Sequence, residues 1–404
     1  MSCQKSILVL DKAVISNQVL NKSVDIRSFL LLLPLFFTFD LTYYCSIYIF
    51  AVTILFIFER INSGFGELSI PSLQIWMVLI LWGIYKAFTS FDVYQAFYYN
   101  FVLIIVPFSL FILFNNLKID FAFLDKFFRL LFASGVLIAL YSFYLLSEKG
   151  FDMTYRIPSF WRHYNLLSGY LMILLMFNFS FLVNSKFDNR SWVYIASLIM
   201  ILFGLLMTQT RGVWLSTLAA ISFYILRRPK LLVPVAGVVL MIVVLFYEAV
   251  MDRVQSVIYF GYDVSSLGRL QAWLASLILI EENPFLGYGF DAFKYLRDSV
   301  FGAYFVVVSH PHNTYLILIL ELGLIGFVMY ISFFVRAFYY SIKMRKKDNS
   351  SDLNKYLDGI QLSFVGFLIA FMFEPYFTIL GPVTFMLWIL IILSFYFRYN
   401  KEIV

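Results

Sequence analysis

Long apolar runs broken by short polar or basic stretches recur from residue 27 almost to the end of the chain. A membrane-spanning helix needs roughly 20 apolar residues, within a range of about 17–25. On that measure the pattern predicts about twelve spans, near 27–39, 41–58, 72–90, 95–114, 127–146, 164–183, 192–209, 212–227, 231–249, 313–341, 357–374 and 378–397. The first two are short and meet around Asp40, and 209–212 is a tight turn, so a count of ten or eleven stays open. The fold class expected is an all-α polytopic membrane protein. Its parts are a polar leader over 1–26, spans one to nine over 27–249, a long loop over 250–312, spans ten to twelve over 313–397, and a tail over 398–404.

Within the long loop, Gly268-Arg269-Leu-Gln-Ala-Trp273 through Ile280 alternates apolar and polar positions as a short amphipathic helix does, with Ser265 and Ser266 as candidate caps. Such a helix is expected to lie along the membrane surface. Asn283-Pro284-Phe285 and Gly287-Tyr288-Gly289 are turn residues that end it and fold the loop back. No internal repeat stands out.

Composition fits lipid as the solvent: 62% of residues are hydrophobic and only 13% charged, which excludes a soluble multidomain protein. The formal charge of +6 does not point to nucleic acid, because the basic residues form short clusters between apolar runs, as cytoplasmic loops do, and no nucleic-acid motif is present. Cys3 and Cys45 give neither a disulfide frame nor a cysteine metal site. The leader carries Lys5, Lys12, Lys22 and Arg27 without a secretory apolar core, and reads as retained in the cytoplasm.

Lysine and arginine set the orientation. With the N-terminus inside, the inner set holds the leader, Arg60, Lys118, Lys126, Arg129, Lys186, Arg190, Arg227, Arg228, Lys230, the run from Arg336 to Lys355, Arg398 and Lys401. The outer set is smaller: Lys149, Arg156, Arg162, Arg211, Arg253, Arg269, Lys294 and Arg297, with Lys86 near the end of its helix. This bias places both termini in the cytoplasm and the long loop outside.

All three histidines, His163, His310 and His312, fall on the proposed outer side. In Ser309-His310-Pro311-His312-Asn313 the proline suits the first turn of a helix, and a long apolar run follows at once. A histidine at a helix N-terminus is held neutral by the helix dipole, so His312 is a candidate general base. The competing reading makes both residues interfacial polar groups that cap the helix.

Arg211 sits in Thr208-Gln209-Thr210-Arg211-Gly212, a polar knot between two apolar runs. A guanidinium at that depth needs a partner, either a ligand phosphate matched by its planar fork or the headgroup region reached by snorkelling. Arg269 opens the loop helix. Arg156, Arg162 and His163 form a third outer basic cluster ahead of Asn165, and Lys86 faces the same side; each suits a topological or lipid-headgroup role better than a ligand contact. Glu321, inside the tenth span, is expected to pair with a neighbouring helix, whereas Asp40, Asp92, Asp291 and Glu374 read as interfacial. No Asp-x-Asp arrangement is present to hold Mg²⁺, so no metal or other cofactor is expected.

His312-Asn313, nine further residues and then Gly323-Leu324-Ile325-Gly326 resemble the His-Asn and Gly-x-x-Gly signature of the bacterial O-antigen ligase family. Arg211-Gly-Val-Trp-Leu215 resembles that family's Arg-x-x-x-Leu motif, and Leu267-Gly268-Arg269 with Trp273 and Asn283-Pro284-Phe285 resembles its large loop. These motifs cover about 208–330, while residues 1–150 agree in hydropathy alone.

The resemblance implies a GT-C-like fold in the bacterial inner membrane and a metal-independent, inverting glycosyltransferase with its active site at the periplasmic face. Its partners would be a donor glycan on undecaprenyl diphosphate, lipid A core as acceptor, and membrane lipids. His312 would activate the acceptor hydroxyl, and Arg211 and Arg269 would hold the diphosphate. His310, Asn313, Arg156, Arg162 and Lys86 stand in a second tier. Two alternatives stay open: an O-antigen or exopolysaccharide polymerase using the same donor, and a non-enzymatic glycolipid transporter, which would need a polar path through the membrane.

Overall fold

A computed structural model describes residues 26–63, 68–152, 155–161, 163–259, 264–302, 308–345, 352–378 and 381–400. Most of the leader, and residues 401–404 of the tail, therefore lie outside the described residues, as does Arg162.

The first half of the chain forms α1 (Ile26–Leu30), α2 (Leu33–Thr38), α3 (Thr42–Ser63), α4 (Leu73–Phe88), α5 (Val93–Asn116), α6 (Phe121–Glu148), α7 (Tyr164–Asn184) and α8 (Asn189–Met207). There follow α9 (Arg211–Arg227), α10 (Leu232–Leu245), α11 (Tyr247–Ile258), α12 (Val264–Glu282), α13 (Phe293–Phe301), α14 (Thr314–Met344), α15 (Asp352–Ala370) and α16 (Pro382–Tyr399).

Short polar residues start several of these helices by accepting from orphan N–H groups of the first turn. Asp92 accepts from Gln95 N, Asp120 from Phe123 N, and Asp188 forms a capping box with Ser191. Inside α5, Pro107 lacks the N–H that would bond Leu103, the helix widens into a π turn over Phe101–Ile105, and the Tyr330 hydroxyl shares its proton between the Phe377 carbonyl at 3.0 Å and that of Leu103 at 3.3 Å.

Among the described residues, seven helices are long and apolar enough to cross a membrane: Thr42–Asn62, Val93–Asn116, Phe121–Glu148, Tyr164–Asn184, Asn189–Met207, Thr314–Met344 and Pro382–Tyr399. Three expected spans appear as shorter apolar helices, Ile26–Thr38, Leu73–Phe88 and Pro229–Leu245. The remaining two, α9 and α15, belong to neither set. For α15 the cause is in its residues: Asp352, Lys355, Asp358 and Gln361 lower its hydropathy, and its body is buried against α7, α9 and α14, so its surroundings are protein. With α7 and α16 it forms the centre of the bundle.

At one end of the bundle Asp358, fully buried, accepts from Arg345 (2.6 Å), Tyr224 (2.7 Å) and Asn184 (3.1 Å). Lys355 pairs with Asp125 at 2.8 Å. The N-termini of α7, α9 and α14 lie at the opposite end, where the candidate chemistry gathers.

The long loop departs from its sequence reading. Its described residues form three helices, and α12 starts at Val264, so Ser265 and Ser266 lie inside the helix and not at its cap position. Nor is α12 a surface helix alone. Ala272, Ala275 and Leu279 are buried with Phe293 and with Leu320 of α14, which gives one face a protein partner, while Leu267, Leu270, Leu274 and Leu277 on another face stay exposed.

The turn after α12 is built into a break in α14. Gly323 adopts φ 68°, ψ 174°, a region accessible to glycine alone, and frees the carbonyls before it. Tyr288 N donates to Leu320 O at 2.8 Å, Gly289 N to Glu321 O at 2.9 Å and the Trp82 indole to Leu322 O at 2.9 Å, while Leu324 N donates back to Pro284 O at 2.8 Å. The Glu321 carboxylate accepts from the Asp291 N–H at 3.0 Å. Its partner is thus the loop and not a neighbouring helix.

A Cβ at Gly323 would stand 2.0 Å from the Phe285 carbonyl oxygen, and one at Gly326 would stand 2.7 Å from Trp82 Nε1, whereas one at Gly237 meets nothing within 4 Å. Gly323→Ala is therefore expected to destabilise the protein by at least the ~1–3 kcal/mol of such backbone strain, and Gly237→Ala to leave it unchanged. Thermal unfolding of the purified proteins followed by size-exclusion chromatography checks both, and equal midpoints for the two variants would contradict the account.

Candidate active site

Four elements bring the candidate residues to one end of the bundle. Arg211 is the first residue of α9, following a turn in which Gln209 takes φ 48° and donates to Tyr155 O at 3.1 Å. Gly212 lets this turn approach the segment after α15, since a Cβ there would stand 2.9 Å from Phe373 Cβ. Arg269 extends from the second turn of α12. Asn313 caps α14, its side chain accepting from Tyr315 N (3.0 Å) and Leu316 N (3.2 Å).

The helix thus begins at Thr314, and Pro311 lies before its first turn, contrary to the sequence reading. The Pro311 carbonyl instead accepts the Trp273 indole N–H at 2.9 Å. His312 is held between these two fixtures at φ 52°, a conformation uncommon for a side-chain-bearing residue.

Glu374 connects these parts. Its side chain, read from sequence as interfacial, belongs to a residue only 3% exposed. Oε1 accepts from Arg269 Nη2 at 2.8 Å and from Asn165 Nδ2, and Oε2 lies 3.2 Å from His312 Nδ1. The Glu374 carbonyl accepts from Thr314 Oγ1 at 2.8 Å. Burial alone would raise the carboxyl, but the hydrogen bond with His312 and the charge of Arg269 outweigh it and hold Glu374 below the usual carboxylate range.

Arg156 joins through Asn165, donating to its Oδ1 at 2.9 Å and to Thr208 O at 3.1 Å, with its guanidinium 3.5 Å from the centre of the Tyr164 ring. The cavity so formed is lined by Arg156, Arg211, Arg269, Glu374, Thr210 and Tyr376, among others. His312 meets it through Glu374.

His310 lies beside His312, ring centroids 4.1 Å apart, with Nδ1 2.8 Å from Ser309 Oγ. Burial, then the neighbouring His312, push His310 down to about 4, against the pull of Glu374, so it is neutral near pH 7. Lys86 is placed elsewhere, with Nζ donating to the Gly287 carbonyl at 3.0 Å in a separate cavity. Gly323 and Gly326 serve the loop anchor and touch no reacting group.

His310, His312 and Glu374 bring one ligand atom each within 4.8 Å, a spacing a metal ion accepts. Yet the Glu374 oxygens already take Arg269, Asn165 and His312, and three guanidinium groups line the same cavity. A divalent cation there would displace those hydrogen bonds and be repelled. Among the described lining residues, three guanidinium groups beside one carboxylate suit an anion.

The fold and site define an all-helical, multi-pass membrane protein with a cationic cavity at one end. Residues 195–331 match the family model described as O-antigen ligase, a match that supports an assignment to that family. The matched segment holds Arg211, Arg269, His312, Gly323 and Gly326, whereas Glu374, Arg156 and Lys86 lie outside it. No curated protein gives a significant match.

Two pH effects follow. A carboxyl held low in the folded state stabilises it above its ordinary value of 4.5 and loses that contribution as pH falls through the lower folded value. Glu374→Gln is therefore expected to lower the thermal midpoint at pH 7, with the gap to wild type closing below pH 4.5. His310, depressed from 6.5 to about 4, costs the fold stability progressively as pH falls across that window. His310→Asn should flatten that part of the profile, and midpoints measured from pH 8 to 4 test both; parallel profiles for all three proteins would refute the assignments.

Proposed function

We propose that the protein is an O-antigen ligase that moves a glycan from undecaprenyl diphosphate to a sugar hydroxyl of the lipid A core, at the periplasmic face of the bacterial inner membrane. The observation that carries this reading is the Glu374 carboxylate, bonded to Arg269 on one side and His312 on the other, at a cavity that Arg156 and Arg211 also line.

A base and a cationic clamp within reach of one another are what displacement of a diphosphate requires. With Nδ1–H donated to Glu374, His312 Nε2 keeps its lone pair and takes the proton of the acceptor hydroxyl. The hydroxyl oxygen attacks the anomeric carbon, the bond from that carbon to the diphosphate oxygen breaks, and the lipid diphosphate leaves with the electron pair. Arg211 and Arg269 offset the charge that develops on it. Attack opposite the leaving group inverts the anomeric centre. Glu374 touches neither substrate in this scheme; it is a positioning residue that fixes the tautomer and orientation of His312.

The reading extends to a GT-C-like arrangement with twelve crossings, α9 and α15 and the three shorter apolar helices included, and with both termini in the cytoplasm. It assigns no role to a metal.

A polymerase would use the same donor with a second lipid-linked glycan as acceptor, so purified protein supplied with labelled donor and either acceptor separates the two. His312→Ala is expected to leave the protein inserted and abundant while transfer falls by about 10²–10⁴, the usual contribution of a general base. Arg211→Ala and Arg269→Ala should lose activity, with Lys a poor substitute at either position because the two-pronged geometry is lost. Chelator should leave the rate unchanged. Near wild-type transfer by His312→Ala would remove the base assignment.

A further inference from the structure

A second cavity, of about 280 Å³, lies between the C-terminus of α4 and the turn after α12, just under the roughly 300–1,000 Å³ typical of small-molecule sites. It opens at the same end as the arginine cavity. Helix α4 runs antiparallel to α14, since Arg336 near the far end of α14 reaches Ser72 before α4, while Trp82 and Lys86 meet the Leu322 and Gly287 carbonyls at the other end.

Lys86 lines this cavity and is 2% exposed. Its Nζ donates to the Gly287 carbonyl at 3.0 Å, and Asn283 Nδ2 donates to that same carbonyl at 2.8 Å. An ammonium has three N–H donors and an amide two, so two converging groups with more donors than this one oxygen can satisfy face the same space. Among the described residues no carboxylate pairs with Lys86. A buried ammonium with no counter-charge is costly. An anion in the cavity supplies what is missing.

Position decides which anion. Helix α12 passes Arg269 first, then Trp273, whose indole holds Pro311 beside His312, and ends at Glu282 next to Asn283. At about 1.5 Å per residue, Arg269 and the end of α12 are roughly 20 Å apart, too far for one diphosphate to reach both. The Lys86 cavity therefore lies beyond the base, on the side away from the arginines.

We propose that the Lys86 cavity binds a phosphate group carried by the acceptor glycolipid, while the arginine cavity takes the donor diphosphate; this rests on the transfer reading above. Lys86 and Asn283 then set how far the attacking hydroxyl stands from that phosphate, and the site selects acceptors that carry one.

The test uses full-length protein in phosphatidylcholine nanodiscs, with a phosphorylated acceptor glycolipid and its dephosphorylated form. Wild type is expected to show a KM about tenfold lower for the phosphorylated acceptor, the least that a charge-assisted contact confers. Lys86→Met should raise that KM until the two acceptors are indistinguishable, and Lys86→Arg should retain the preference. If Lys86→Met weakens both acceptors alike, the residue only holds the Gly287 carbonyl and the proposal falls. It falls also if added phosphatidylglycerol abolishes discrimination in wild type, which would assign the cavity to a lipid headgroup.

Equilibrium dialysis of inorganic phosphate needs no turnover and separates this proposal from the ligase reading. Two sites in wild type and one in Lys86→Met would sustain the cavity even if neither acceptor were glycosylated. Two sites in both proteins would overturn it.

Discussion

Glu374 is a carboxylate taken out of water in the part of the protein where it touches the most elements. Burying it costs several kcal/mol unless donors replace its hydration, and here they come from α7, α12 and the segment before α14, as Asn165, Arg269 and His312. Removing any one of them leaves part of the charge exposed to a medium that cannot answer it. The geometry of these three side chains is thus set by one carboxylate that is itself too buried to move independently.

The long loop is restrained at both ends of its central helix by quite different means. At the N-terminal side the restraint is ionic, Arg269 to Glu374. At the C-terminal side it is backbone pairing across the break in α14, where freed carbonyls at Leu320 and Glu321 take N–H groups of Tyr288 and Gly289. Trp273 to Pro311 lies between the two. Because His312 lies just before α14, the helix bearing the candidate clamp is tied to α14 and the segment before it by the backbone pairs and by Trp273, and to the segment after α15 by Arg269. The Gly-x-x-Gly pair belongs to this tie: Gly323 makes room for the Phe285 and Leu286 backbone, and Gly326 for Trp82.

Much of this was legible in the chain because it is local. Apolar runs of span length located the long helices, turn residues after α12 located the fold-back, and the charge bias separated Arg156, Arg211, Arg269 and the histidines from the basic residues of the other end. What escaped was non-local or depended on context. Glu374 stands 105 residues from Arg269 and 62 from His312, and a single acidic residue before a proline at the end of an apolar run looks like any interfacial carboxylate; only its placement at the end that gathers arginines hinted otherwise. Ser265 and Ser266 resembled caps because the start of α12 has no sharper signal. Hydropathy alone could not tell that the charged residues Lys355 and Asp358 of α15 are tolerated because protein surrounds them.

The electrostatics of the site follow from where helices begin. The N-termini of α7, α9 and α14 converge on it, at Tyr164, Arg211 and Thr314, and each presents the positive end of its dipole. Among the described residues that line the cavity, Arg156, Arg211 and Arg269 stand against one carboxylate, Glu374, and His310 is neutral. In a cavity walled by apolar helices this excess is weakly screened. Glu374 compensates part of it and, by keeping Arg269 drawn toward His312, prevents the guanidinium from turning out to water. On the ligase reading an incoming diphosphate meets a clamp already oriented, so little of its binding energy is lost to ordering side chains. On that reading, the carboxylate that fixes these side chains is also what keeps His312 and the arginines at working distance around a bound diphosphate.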